Sequence, residues 1–375
     1  MKLFSRLLAL GVLALVPLMT LAQATTDDAT KAQIDKIQAE LDTLKDQVTG
    51  PEGAIQTTVG DVGKLKKITF SGYAQLRLED NRGTAVSNTT GGSGDPRLNF
   101  SQRRVRLKVV ARPVDSTQVT FQWDMGDKGF VVKDALIEYF LKGDPTFGPA
   151  LAMGQFAIPF GYQNTQSSSA MEGPERARVI KNLFPDEYDR GLRISSPTDG
   201  RIYGDIALLN GTGQNANDNT MSKDLVARLR TRITPQIEGG VSGYFGGRDF
   251  VPASGLSYNS KNRFGADLQL YFTGLTIKAE AITAKDKGLD KSGYYLLAAK
   301  SLTKQDTLVG MFDVYDDPSA KNVAKQVVGK QMTYTLGINH YLDANTKLRL
   351  FYEVDDESNN KYSNNVARLE LLSTF

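Results

Sequence analysis

The sequence predicts an all-β protein, a sixteen-stranded antiparallel transmembrane β-barrel preceded by a short N-terminal coiled-coil helix. Three observations predict it. The chain opens with the pattern of an export leader. After Lys66 its side chains alternate in polarity with a period of two. The joints between the alternating segments are short and long in turn, as an up-and-down membrane barrel requires.

Lys2 and Arg6 precede an apolar run from Leu7 to about Leu21, closed by Ala22-Gln23-Ala24. A basic start, a short apolar stretch and an A-x-A site are the features of a secretory signal peptide. This assigns 1–24 to the leader, since about 15 apolar residues fall short of the roughly 20 a spanning helix needs. The chain has no cysteine, so no disulfide holds the exported product together. Net charge is +3, or +1 without Lys2 and Arg6. A nucleic-acid partner wants a strongly basic face and is excluded on that ground.

Residues 25–50 form the next segment, expected in the periplasm. Ile34, Ile37, Leu41, Leu44 and Val48 follow one another at steps of 3, 4, 3 and 4, the seam of a coiled coil. Gly50-Pro51 ends it. About two heptads make a lone helix marginal, so a homo-oligomer is expected. A tether gripping the cell wall is the other reading of the same seam. Residues 51–65 read as a linker, and 66–375 as the barrel.

In that barrel the strands are expected near 66–79, 98–112, 117–125, 130–141, 149–158, 190–196, 201–210 and 222–233. The other eight fall near 236–246, 262–272, 275–285, 292–302, 307–316, 331–342, 346–355 and 364–375. Tight turns such as Pro113-Val114-Asp115-Ser116, Thr273-Gly274 and Asp343-Ala344-Asn345-Thr346 occupy one set of joints. Long polar stretches (80–97, 159–189, 211–221, 247–261, 286–291, 317–330 and 356–363) occupy the other. Gly126-Asp127-Lys128-Gly129 is short where a long loop was due. Aromatics near strand ends, among them Trp123, Tyr244-Phe245, Tyr271-Phe272, Tyr315, His340-Tyr341 and Phe351-Tyr352, suit interfacial girdles.

The apolar parity of each strand should face lipid and the polar parity the lumen. On the second strand Val105, Leu107 and Val109 oppose Arg104, Arg106 and Lys108. On the eighth, Leu225, Ala227 and Leu229 oppose Arg228, Arg230 and Arg232. A charge on the lipid face at mid-bilayer costs roughly 2–4 kcal/mol, so these basic triplets, with Arg77, are assigned to a water-filled channel wall. Acidic residues on the same parity, such as Asp134, Glu138, Asp205, Asp267, Glu353 and Glu370, are expected to pair with some of them. The loop 159–189 is long enough to fold inward and narrow the channel. Its charges Glu172, Glu175, Arg176, Arg178 and Lys181 are the constriction candidates.

Catalysis is excluded on the residue inventory. The single histidine, His340, shares the lipid-facing parity of Leu336 and Ile338, away from any serine–acid pair. Without cysteine or a second histidine, no thiolate nucleophile or multi-histidine metal site can be built. No cofactor is expected.

Four stretches resemble the phosphate-selective porin (O/P) family of Gram-negative outer membranes. They are Gln102-Arg103-Arg104-Val105-Arg106-Leu107-Lys108, Asp134-Ala135-Leu136-Ile137-Glu138-Tyr139, Gly154-Gln155-Phe156-Ala157-Ile158-Pro159-Phe160-Gly161 and Asp189-Arg190-Gly191-Leu192. The C-terminal strand ending in Phe375 also looks like the assembly signal of such barrels. The resemblance implies a homotrimeric outer-membrane porin, bedded in lipid, with an inward third loop and arginines along the channel. Small inorganic anions, phosphate-like, are then the expected solutes. A general or weakly cation-selective porin that also tethers the outer membrane to the cell wall is the alternative. This chain departs from the pattern at Gln155, where a basic residue is common.

Overall fold

The computed structural model describes residues 28–49, 63, 67–81, 98–127, 129–218, 222–250, 257–286, 288–317, 330–357 and 365–375. The leader 1–24 and, apart from Gly63, the linker 51–65 lie outside the described residues. The chain divides into two compact units, 1–66 and 67–375.

In the first unit, helix α1 (Asp28–Thr49) spans the residues of the expected seam. Among the described residues Ile37, Leu41 and Leu44 are 59–61% exposed.

The second unit is a closed antiparallel barrel. Its first half comprises β1 (Ile68–Asn81), β2 (Leu98–Val114), β3 (Thr117–Asp124), β4 (Val131–Phe140), β5 (Ala150–Ala157), β6 (Tyr188–Ser195), β7 (Ile202–Leu209) and β8 (Asp224–Thr234). The second comprises β9 (Ile237–Phe250), β10 (Ser257–Phe272), β11 (Leu275–Asp286), β12 (Leu289–Ser301), β13 (Asp306–Asp316), β14 (Lys330–Tyr341), β15 (Thr346–Glu357) and β16 (Val366–Thr374). Each strand pairs with its sequence neighbours, and β1 pairs with β16 to close the ring. The backbone of Gly72 exchanges two 3.0 Å hydrogen bonds with Phe375 at that seam. Closure leaves no unpaired edge, which a bilayer would penalise heavily.

All sixteen expected strands are present. Three outer ends differ: β9 runs on to Phe250, β10 starts at Ser257, and β11 and β12 are joined through residues 287–288 rather than a long 286–291 loop. Gly288 makes that short joint possible with a φ of +76°. The sequence pattern fades there because the ladder continues past the bilayer into water. Asp286↔Leu289 and Lys285↔Asp290 are still partners in the ladder, while lipid no longer selects the outward residue.

Outward residues are apolar and exposed: Leu225, Leu229, Ile233, Leu336 and Leu350 are examples. Inward residues are buried, but they are not all polar. Leu209, Val226, Ile282, Leu297, Val309 and Met311 point inside and form a core with the long loop. The aromatic expectation needs the same correction. Phe245, Phe272 and Tyr352 are exposed on the outside, whereas Tyr244, Tyr315 and Phe351 are buried inside. Tyr271 and Tyr341 share the inward parity of Gln269 and Asn339 and are exposed at the turn-side mouth. Period two sends adjacent aromatics to opposite faces, so a Tyr-Phe pair cannot serve one girdle.

Candidate channel constriction

The segment between β5 and β6 folds into the barrel. It enters through Ile158-Pro159-Phe160-Gly161, makes a 3-10 turn at Ser168–Ala170, and carries a one-and-a-half-turn helix α2 (Arg178–Leu183). Gly161 has a φ of +63°, and a Cβ there would meet Glu280 Oε1 at 1.8 Å. The glycine of the motif is therefore the point at which the chain turns inward against β11.

One side of the loop is dry. Phe160, Val179, Ile180, Leu183 and Phe184 pack with Tyr244, Ile282, Tyr295, Val309 and Met311. Phe160 and Phe184 lie 4.8 Å apart, ring to ring. Polar stitches hold the same side. The Arg178 backbone donates to Asp313 Oδ1 at 3.1 Å, and its guanidinium donates to Thr333 at 2.5 Å and pairs with Asp355. Lys278 Nζ reaches Glu172 at 2.6 Å.

The loop also reaches across to the seam. Arg349, 1% exposed on β15, donates to the carbonyls of Met171, Glu172 and Gly173, to Asn339, and to Glu370 Oε2 at 3.0 Å. Glu370 Oε1 in turn takes a 2.6 Å bond from Arg77. Glu175 is held by Arg77 at 2.8 Å, by Arg103 at 2.6 and 2.8 Å, and by Arg104 at 3.0 Å. Burial alone raises a carboxyl pKa, but these three guanidinium groups outweigh it and keep Glu175 well below the usual range.

Between the loop and the β2–β4 wall remains a cavity of about 520 Å³. Arg103, Arg104, Arg106, Lys133, Arg176 and Lys181 line it on the basic side, and Asp124, Glu175, Asp186 and Glu187 on the acidic side. Six against four leaves an excess of two positive charges. Gly126 and Gly129 of the short β3–β4 turn also border it, so the missing long loop leaves this mouth uncovered by that turn. Gln214 and Asn215 from the β7–β8 connection form another edge. Gln155 explains their position: its amide donates to the carbonyls of Val132 and Lys133, and its Oε1 accepts from the Asn215 backbone at 2.8 Å. A basic residue there could donate but could not accept.

The predicted site residues therefore separate into groups. Arg77, Arg104, Arg106 and the loop residues Glu175, Arg176 and Lys181 meet around the cavity or its base. Arg106 pairs with Asp124 at 2.9 Å, and Lys181 is exposed. Lys108 stands half-buried lower on the same wall. Arg176 is not a free constriction charge. It bonds the carbonyls of Gln163 and Gln166, Ser168 Oγ and Glu187, which makes it the staple of the loop's own turn. The second basic ladder does not reach the cavity. Arg228 lies dry under the loop, bonded to Asp267 and Thr165; Arg230 pairs with Asp205 at 2.6 Å over the Tyr203 ring; Arg232 is at the turn-side rim. Position relative to the loop, which strand parity does not encode, separates the two ladders, since Arg104, Arg106 and Arg228 are all buried.

The site residues named from the sequence left out Arg103, Lys133 and Arg349. Arg103 has lipid-facing parity, but the ladder shifts between Gln75↔Arg104 and Leu76↔Gln102. That bulge turns both Arg103 and Arg104 inward. Lys133, next to the lumen-assigned Asp134, has lipid-facing parity too, and the β3–β4 ladder shifts beside it, between Phe121↔Ala135 and Trp123↔Val132. Arg349 has the inward parity of Glu353, but no local pattern records its reach to the loop. His340 lies outward as expected, its Nδ1 2.7 Å from Asp306 Oδ1 near the turn-side rim.

A closed sixteen-stranded barrel with an inward third loop beside a charged passage defines an outer-membrane porin, a channel for diffusion. Residues 79–253 match the model of the family described as phosphate-selective porin O and P, the family that the sequence motifs resemble. Among solved structures, an anion-selective porin from Comamonas acidovorans is 11% identical, with a TM-score of 0.59 over 82% of this chain and 99% of that one. OmpF of Salmonella typhi, in complex with daunomycin, is 9% identical with a TM-score of 0.59, covering 82% and 97%. OmpT of Vibrio cholerae is 9% identical with a TM-score of 0.56 and the same coverage. At such identities the likeness is one of fold. Comparison with curated proteins gives no match.

Proposed function

We propose that this porin passes small anions in preference to cations. The excess of basic groups around the cavity carries the reading, because a passage with low-dielectric walls focuses the field of its lining charges. The descriptions of the matched family and of one structural neighbour, phosphate-selective and anion-selective, point the same way. Purified protein in a planar bilayer is expected to give discrete conductance steps. Under a potassium chloride gradient the reversal potential should have the sign of chloride preference. A cation-signed potential would favour the general or cation-preferring alternative.

The exposed seam of α1 supports a second assignment, self-association of the periplasmic segment within a homotrimer. Substituting Ile37→Asp and Leu41→Asp should lower the temperature at which the oligomer dissociates in detergent. If that temperature does not move, the barrel walls hold the oligomer and the segment is better read as a cell-wall tether.

A further inference from the structure

The arginine cluster at the base of the cavity has the geometry of an oxyanion site, and it is already occupied. Arg77, Arg103 and Arg104 converge from two adjacent strands, and four of their nitrogens lie 2.6–3.0 Å from the two carboxylate oxygens of Glu175. Arg103 grips both oxygens, the fork geometry that also suits phosphate. Glu175 and Arg104 are buried, Arg103 is 27% exposed, and all three border the open cavity. A permeating anion can therefore reach the cradle from the passage.

We propose that Glu175 is a tethered competitor, a carboxylate that fills a tetrahedral-oxyanion site and keeps permeating phosphate-like anions from lodging there. The inference rests on the anion-channel reading. An unoccupied cradle of three guanidinium groups in a narrow passage would hold a multivalent oxyanion long enough to block flow. With Glu175 in place the cluster contributes one or two net charges to the field and no vacant ligand positions. Conduction needs sites weak enough to leave, and an internal carboxylate supplies that weakness while the arginines stay in the wall. Glu175 is thus a specificity-determining residue. It selects against retention rather than against entry.

The test is block of the chloride current by inorganic phosphate in bilayers holding the full-length protein. Wild type should show no saturable block in the millimolar range. Glu175→Gln removes the charge but keeps the bulk, and Glu175→Ala removes both. Block should appear in Gln and strengthen in Ala, with apparent affinity rising by about tenfold or more over wild type. Arg103→Ala in the Glu175→Ala background should abolish it. Saturable block in wild type would overturn the proposal, and that measurement requires no variant to fold. A large rise in conductance in the Ala variant without phosphate block would also overturn it, since Glu175 would then be only a clamp for the loop. The reversal potential of wild type in chloride is read separately, so a failure of the anion-channel reading is distinguishable from a failure of the cradle.

Discussion

Replacing Arg349 with methionine is expected to unseat the inward loop and widen the channel. No other side chain described bonds three successive loop carbonyls, and it does so while paired to Glu370 and buried to 1% exposure. Removing one member of a buried ion pair typically costs about 3–5 kcal/mol. The freed carbonyls of Met171, Glu172 and Gly173 would also need water. Single-channel conductance should rise by about twofold or more, because a sixteen-stranded barrel without its inward loop is an open aqueous pore. Noise in the open current should increase as the loop moves. Unchanged conductance with lowered thermal stability would show that the apolar packing of Phe160, Ile180 and Phe184 seats the loop without the arginine.

Selectivity should respond most to cations that have no carboxylate partner. Lys133 donates to Gln214 Oε1 at 3.1 Å and lies 4.9 Å from the Tyr188 ring centre. Lys181 is exposed in the same cavity. Neither forms an ion pair among the described residues. Changing both to glutamate reverses two charges and should lower the chloride-to-potassium permeability ratio by about tenfold. The effect should shrink as salt rises and the field is screened. Arg228→Gln is the contrasting variant: Arg228 neutralises Asp267 beneath the loop, away from the cavity, and its loss should leave the ratio within about twofold of wild type. A ratio that moves with Arg228 and not with the two lysines would relocate the ion path to the β8–β10 side of the loop.

Strand number, strand order and the faces of most strands could be read from the sequence because lipid imposes a strict rule on every second residue. Leu225 and Leu229 against Arg228 and Arg230 obey it. The rule stops where lipid stops, and the extended ends of β9, β10 and β11 were invisible for that reason. It also says nothing about what covers an inward residue. Arg104 and Arg228 have the same parity and chemistry, yet one borders the passage and the other is sealed beneath Thr165 and its neighbours. The loop's inward course was suggested by its length and charge. Its attachment points depend on contacts between residues separated by 71 positions, as for Arg104 with Glu175, to 176, as for Arg349 with Gly173, and no local pattern records them. Arg103 shows a third kind of miss, a single extra residue that reverses the face of everything read by strict alternation.

The loop lies midway along the chain, yet several of its polar contacts reach strands at the two chain ends. Glu175 binds β1 and β2, and the 171–173 carbonyls bind β15, one strand from the closing pair. A loop lodged before β1 and β16 zip together would find both of its charged anchors within reach. Seated against Arg77 and Arg349, it brings the first and last strands to opposite sides of one small charged hub. That shortens the search that closes a ring of sixteen strands, where loop-closure entropy is greatest. The segment that narrows the finished channel is in this way placed to act as the internal template on which the channel closes. Refolding into detergent should then slow when Arg349 is lost, even under conditions where the final barrel is equally stable.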